Sequence, residues 1–177
     1  MAETNLKKYS VVEKLNKMDV DLIDVEITLD GSAYTDGHIL FQPTKIENAV
    51  AVPQGTSVLH SVCGIVENAA LASGDGTDTD SMHLFITSSK TPTGFASVNA
   101  AASGGTAAYS VMNRFCGQVT INNYVDAGRQ AIGSVQNVGM VCKADANSKD
   151  LYVWGMATGT NDYDSGTLML RFGFIKD

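Results

Sequence analysis

The chain has 177 residues, 19 of them acidic and 12 basic, for a formal charge of −7, and 44% of its residues are hydrophobic. That balance excludes a disordered tail and a basic nucleic-acid-wrapping protein. One domain of this size hides about 70% of the surface its unfolded chain exposes, so a core needs neither metal nor disulfide. Seventeen glycines against three prolines, with abundant Val, Thr, Ser and Ala, favour short strands and tight turns over long helices.

The charge is unevenly spread. Met1 to Met18 carries Lys7, Lys8, Lys14 and Lys17 against Glu3 and Glu13, a net +2, which leaves 8 basic and 17 acidic residues, −9, on the remainder. A basic arm therefore precedes an acidic body, with the domain running from residue 19 to 177. Within the arm Leu6, Tyr9, Val12, Leu15 and Met18 recur every three residues, one apolar stripe if the segment is helical. Two readings follow: a short helix packed on its own domain, or an arm that docks on a neighbouring subunit, since chain ends stay loose unless something ties them down. The apolar stretch Tyr9 to Val12 is stopped by Glu13 and Lys14, too short for a secretory signal.

From Asp19 the period becomes two. Ile23, Val25, Ile27 and Leu29 alternate with Asp24, Glu26, Thr28 and Asp30, as a strand with one buried face requires, and Asp30-Gly31 marks a turn. Further strands are expected at His38 to Gln42, Ala49 to Val52, Thr56 to Val66, Met82 to Thr87, Phe115 to Asn122, Gly133 to Cys142, Leu151 to Ala157 and Leu168 to Ile175. Pro53-Gln54-Gly55 reads as a tight turn between two of them. The last strand puts Leu168, Leu170, Phe172 and Phe174 on one face and Met169, Arg171, Gly173 and Ile175 on the other, so even its outer face is partly apolar. Such a strand belongs in the middle of a sheet or under a partner. Polar loops are expected at Ser73 to Asp80, Ser88 to Gly94, Ala100 to Ala107, Val125 to Gln130 and Lys143 to Asp150. No apolar run reaches the roughly 18 residues that would span a bilayer as a helix. Strands at this spacing without a βαβ rhythm predict an all-β fold, a β-sandwich of jelly-roll type preceded by a short arm or helix, with edges covered by oligomerisation.

Chemistry is thinly signalled. Asp164-Ser165-Gly166-Thr167 matches the short aspartic-protease signature, but Asn161-Asp162-Tyr163 before it is polar and no long second half follows, so a plain turn explains it. Asp75, Asp78 and Asp80 gather three carboxylates on one loop, which suits either calcium or a solvated hairpin tip; the spacing lacks the remaining ligands of an EF-hand. His38, His60 and His83 fall on three separate strands and read as structural residues. Cys63, Cys116 and Cys142 are odd in number and widely spaced, and read as reduced, buried small hydrophobes. Tyr109, Tyr124, Tyr152, Trp154 and Tyr163 offer rings for sugar stacking, yet Trp154 sits in an apolar strand and is expected in the core. An acidic body without a basic stripe disfavours nucleic acid. No residue pattern supports an enzyme or a cofactor, and no metal site is assigned.

Several stretches carry a resemblance. Ser32-Ala33-Tyr34-Thr35-Asp36-Gly37, Asn48-Ala49-Val50, Gly55-Thr56-Ser57-Val58-Leu59-His60-Ser61-Val62, Leu84-Phe85, Asp150-Leu151-Tyr152-Val153-Trp154-Gly155 and Gly166 to Phe174 together resemble small β-rich virion structural proteins of tailed bacteriophages. The resemblance covers roughly Val20 to Asp177 and rests on turns and strands, not on a catalytic signature. It implies a particle component, made in a host cytoplasm and carried on the virion. The expectation is a capsid decoration or cement protein on the outside of the head, bound to the major capsid protein and to itself as a homotrimer, with Leu6, Tyr9, Val12, Leu15 and Met18 clamping a neighbour. The alternatives are a tail or fibre component touching the host surface and a carbohydrate-binding module on the same scaffold.

Overall fold

A computed structural model describes residues 20–30, 33–68, 81–89, 97–98, 100–101, 114–122, 124–126, 130–158, 161–162 and 166–176. The described residues form eleven strands: β1 (Val20–Thr28), β2 (Ala33–Tyr34), β3 (Ile39–Ile46), β4 (Thr56–Asn68), β5 (Met82–Thr87), β6 (Phe115–Ile121), β7 (Tyr124–Asp126), β8 (Gln130–Lys143), β9 (Leu151–Ala157), β10 (Asn161–Asp162) and β11 (Gly166–Lys176). One sheet has the order β1-β11-β4-β8-β7 and a second β3-β9-β5-β6, with β10 and β2 forming a small third.

The pairing among the eight long strands defines the fold. The first pairs with the last (β1 with β11), the second with the seventh (β3 with β9), the third with the sixth (β4 with β8) and the fourth with the fifth (β5 with β6), all antiparallel. This is one long hairpin of strand pairs. It is rolled so that β11 lies beside β4 and β9 beside β5. A hairpin rolled in this way is a jelly roll, and the chain is an all-β sandwich of that type.

The core follows the period of two. On β11, Leu168, Leu170, Phe172 and Phe174 are fully buried, and on β1 Val25 and Ile27 face them. From the opposite sheet Met82, Leu84 and Ile86 of β5 and Leu151 and Val153 of β9 complete the filling. Antiparallel strands with one wet face produce this alternation, because each second side chain must be apolar.

Some expectations need correcting. Ala49 to Val52 is a turn, not a strand; Ala49 and Val50 are nevertheless buried, plugging the end of the sandwich between β3 and β4. The Pro53-Gln54 turn stands, with Gly55 N–H donating to Val52 O at 2.9 Å and Gln54 at φ 60°, but it leads out of that turn and not out of a strand. Strand β3 runs past Gln42 through Pro43 to Ile46, since β3 is the sheet's edge and its pairing with β9 is already irregular there. Val125 belongs to β7 and not to a loop. In β8 the register against β4 breaks between Leu59 and Ser61, where Asn137 (φ 57°) and Gly139 (φ 68°) carry the left-handed turns of a wide bulge. The residues before 20, including the arm, and Asp75, Asp78, Asp80, Tyr109, Tyr163, Asp164 and Ser165 lie outside the described residues.

Candidate assembly surface

The five-stranded sheet turns one face to the core, and among the described residues nothing covers the other. Residues directly opposite one another on neighbouring strands share a face, so the register reads out that outer surface row by row. One row is Met169, Ile65, Ile132 and Val125, across β11, β4, β8 and β7, with Glu26 at the β1 end. Another is Val20, Ile175, Val58 and Val141. Val125 is 68% exposed, Val141 65% and Val20 44%. A fourth large apolar side chain, Leu22 on β1, is 62% exposed and lies with Val20 over Gly173, where an added side chain would collide with Ser61 Oγ.

Between the two apolar rows runs a polar one, Asp24, Arg171, Cys63 and Ser134. Arg171 donates through Nε to Asp24 Oδ1 at 2.7 Å and through Nη2 to Asp24 Oδ2 at 2.8 Å, a two-pronged fork. That hydrogen bond holds the Asp24 carboxyl below its ordinary value. At the sheet's end Lys176 Nζ pairs with Asp21 Oδ2 at 2.6 Å. The face is thus two apolar ribs flanking a fixed ion pair. Apolar residues at alternate positions on an outer strand face are an anomaly for a monomer and a signature of contact.

The four-stranded sheet covers its own outer face. Trp154 of β9 stacks on Phe85 of β5, their ring centroids 4.0 Å apart, and Phe115 lies 6.1 Å from Phe85. Trp154 is buried, as expected, but on this outer face and not in the core between the sheets: on β9 it is Leu151, Val153 and Ala157 that join the core cluster. With one side of its ring against Phe85, it offers no open platform for a sugar. Tyr124 of β7 instead lies against Gly64 and Gly133, inside the sandwich, where a side chain at Gly133 would meet its ring at 3.0 Å.

The predicted site residues separate. His83 Nδ1 lies 2.8 Å from Thr120 Oγ1 and 2.9 Å from Gln118 Nε2, both on β6, while His60 stands in the other sheet and His38 bridges Ala101. Among the described residues no group of three His, Cys, Asp or Glu is placed to hold a metal. The cysteines are free, but only Cys142 is fully buried; Cys63 and Cys116 are part-exposed, contrary to expectation. Cys63 looks outward because it belongs to the polar row. Cys116 is displaced by a bulge: Ile86 pairs with Gly117 and Thr87 with Phe115, so Cys116 is an extra residue with no partner on β5. It packs instead against the core, where its thiol donates to Lys143 O of β8 at 4.0 Å.

No protein-family model matches this sequence, and no curated protein matches it. Structures of viruses are among the solved structures similar to the chain. They include the acidic stable capsid structure of Helicobacter pylori bacteriophage KHP30 (14% identity over 88% of this chain and 86% of that chain, TM-score 0.33). Tomato aspermy virus follows (5% identity, 89% of this chain and 78% of that chain, TM-score 0.35), with Desmodium yellow mottle tymovirus (13% identity, 89% and 85%, TM-score 0.27). At these scores the likeness carries no argument, and the jelly-roll assignment rests on the strand pairing alone.

Proposed function

We propose that this chain is a structural subunit of a virus particle, a capsid decoration or cement protein that binds the outside of the head. The observation that carries this reading is the pair of apolar ribs on the outer face of the five-stranded sheet, set on a slab whose every long strand is paired. A rigid body with such a face is built to adhere, and the resemblance of its turns and strands to phage virion proteins supplies the setting. The arm, through Leu6, Tyr9, Val12, Leu15 and Met18, is assigned to the same adhesion, because its +2 charge suits the acidic bodies of neighbouring copies, whose charge is −9. Partners are the major capsid protein and other copies of this chain, as a homotrimer.

The work is mechanical and not catalytic. Area buried across neighbouring capsid proteins stabilises the assembled shell, as any ligand of a native state stabilises that state. The test is re-binding of the full chain to shells stripped of it, alongside a chain lacking residues 1–18 and an Ile132→Lys, Val141→Asp variant. Wild-type saturation with loss of binding in both altered chains is expected. Undiminished occupancy by the double variant rejects the ribs as the contact, and undiminished occupancy by the shortened chain rejects the arm.

A further inference from the structure

We propose that Cys116 and Cys142 form a redox pair, which a small anionic disulfide arriving beside Cys116 oxidises to an internal disulfide that staples the two sheets together. This goes beyond the decoration role and stands without it. The two thiols come from different layers: Cys116 from β6, at the edge of the four-stranded sheet, and Cys142 from β8 of the five-stranded one. The β5–β6 bulge gives Cys116 no strand partner and turns it against the core, where its Sγ lies 4.0 Å from the backbone oxygen of Lys143, the residue after Cys142. A cross-link between them joins the two sheets covalently, beside the contact of Cys116 Sγ with Lys143 O.

Access is asymmetric in the way such a pair requires. Cys116 lines an open cavity of about 340 Å³, whose charged groups are Arg114, Lys143 and one acid, Asp145. Cys142 is fully buried behind it, opposite Ser57 on β4. A dissolved disulfide therefore meets Cys116 first, and the cationic excess of the rim favours an anionic one. The hydrogen bond from Cys142, aided by the Lys143 backbone, brings the Cys116 thiol down to about 7 against burial, and the same bond, together with burial, pushes the Cys142 thiol up.

The exchange balances. The Cys116 thiolate attacks one sulfur of R–S–S–R, giving Cys116–S–S–R and releasing RS⁻. That step removes the thiolate whose hydrogen bond and charge held Cys142 protonated, so the Cys142 thiol can then give up its proton. Its thiolate attacks Cys116 Sγ, forms the Cys116–Cys142 bond and expels the second RS⁻. Two protein thiols are oxidised, one R–S–S–R is reduced, and the two protein protons end on two R–SH.

The experiment incubates the full chain with oxidised glutathione at mildly alkaline pH, then quenches with acid. Intact mass is expected to fall by about 2 Da, the two hydrogens lost on forming a disulfide. Tryptic peptides 115–129 and 130–143 should be recovered joined. Closing a loop of roughly 26 residues should raise Tm by about 5–10 °C. Cys142→Ser should stop at one glutathione on Cys116, and Cys63→Ser should behave as wild type. Because the first readout needs no variant, folding defects do not shield the idea. A wild-type chain that gains glutathione without losing hydrogens, that reacts first at Cys63, or that links between chains overturns it.

Discussion

Replacing Gly155 by Ala probes how tightly the jelly roll is closed. Gly155 on β9 sits opposite Phe41 on β3, whose ring is 3% exposed and lies flat across the glycine. An added Cβ would overlap Cε1 of that ring and stand 2.8 Å from Cδ1 and 2.9 Å from Cζ. Carbon atoms rest at about 3.5–4.0 Å, so the ring must withdraw by roughly 1 Å into a close-packed core. Overpacking of this kind costs about 1–3 kcal/mol, and three overlapping ring atoms place it at the upper end. The lost flexibility of glycine offsets up to about 1 kcal/mol, leaving a net cost of about 2 kcal/mol. In a domain of this size that lowers Tm by about 4–8 °C. Urea unfolding followed by far-ultraviolet circular dichroism measures it, with Phe41→Leu as the second arm of a double-mutant cycle. Gly155→Ala should cost at least about 1 kcal/mol less in the Phe41→Leu background than in the wild type. Equal cost in both backgrounds would refute the reasoning, because the collision would then lie elsewhere.

Other expectations follow from the same geometry. Gly173→Ala first meets Ser61, Val20 and Leu22 on the outer face of the five-stranded sheet, where side chains can swing into solvent, so its stability change should stay under about 1 kcal/mol by the same unfolding assay. Ile132→Lys with Val141→Asp alters exposed positions and should leave thermal stability within about 1 kcal/mol while lowering shell binding at least about tenfold, read by co-sedimentation. Asp24→Asn removes an exposed fork and should cost under about 1 kcal/mol. The folded-state carboxyl lies below its ordinary 3.8, so the wild-type advantage is present above 3.8 and fades as pH falls through the lower folded value; acid titration of stability in both chains checks the sign. Alkylation of Cys116 by iodoacetamide, followed by mass spectrometry, should rise through a midpoint near the pH of about 7 set by its hydrogen bond from Cys142, with Cys63, pushed up by burial, lagging behind.

What the sequence made legible was periodic. Strands β5 and β9 are bounded by the residues their alternation predicts, and the split of β11 into Leu168–Leu170–Phe172–Phe174 inside and Met169–Arg171–Gly173–Ile175 outside is the observed one. The half-apolar outer face of β11 correctly signalled a central position, between β1 and β4. Strands β2, β7 and β10 were invisible because two or three residues carry no period. Ala49 to Val52 misled for a related reason: burial of Ala49 and Val50 at the sandwich end looks, in one dimension, like a buried strand.

The surface was less legible than the core. Val20, Val58, Val141 and Ile175 stand far apart in the chain, and only the register sets them in one row. The Cys116–Cys142 contact needs two further facts that spacing does not encode, a bulge that turns Cys116 inward and the packing of β6 over β8. Trp154 shows the limit of the apolar-strand rule: on β9 both faces are covered, one by the core and one by Phe85.

The role in a particle is tested most directly by counting. Purified virions that encode this chain, analysed by quantitative mass spectrometry against their major capsid protein, should contain it in hundreds of copies per particle, removable from the outside of intact heads. Its absence from particles, or its presence in only a few tens of copies or fewer, would contradict the account, the latter in favour of a tail or fibre station.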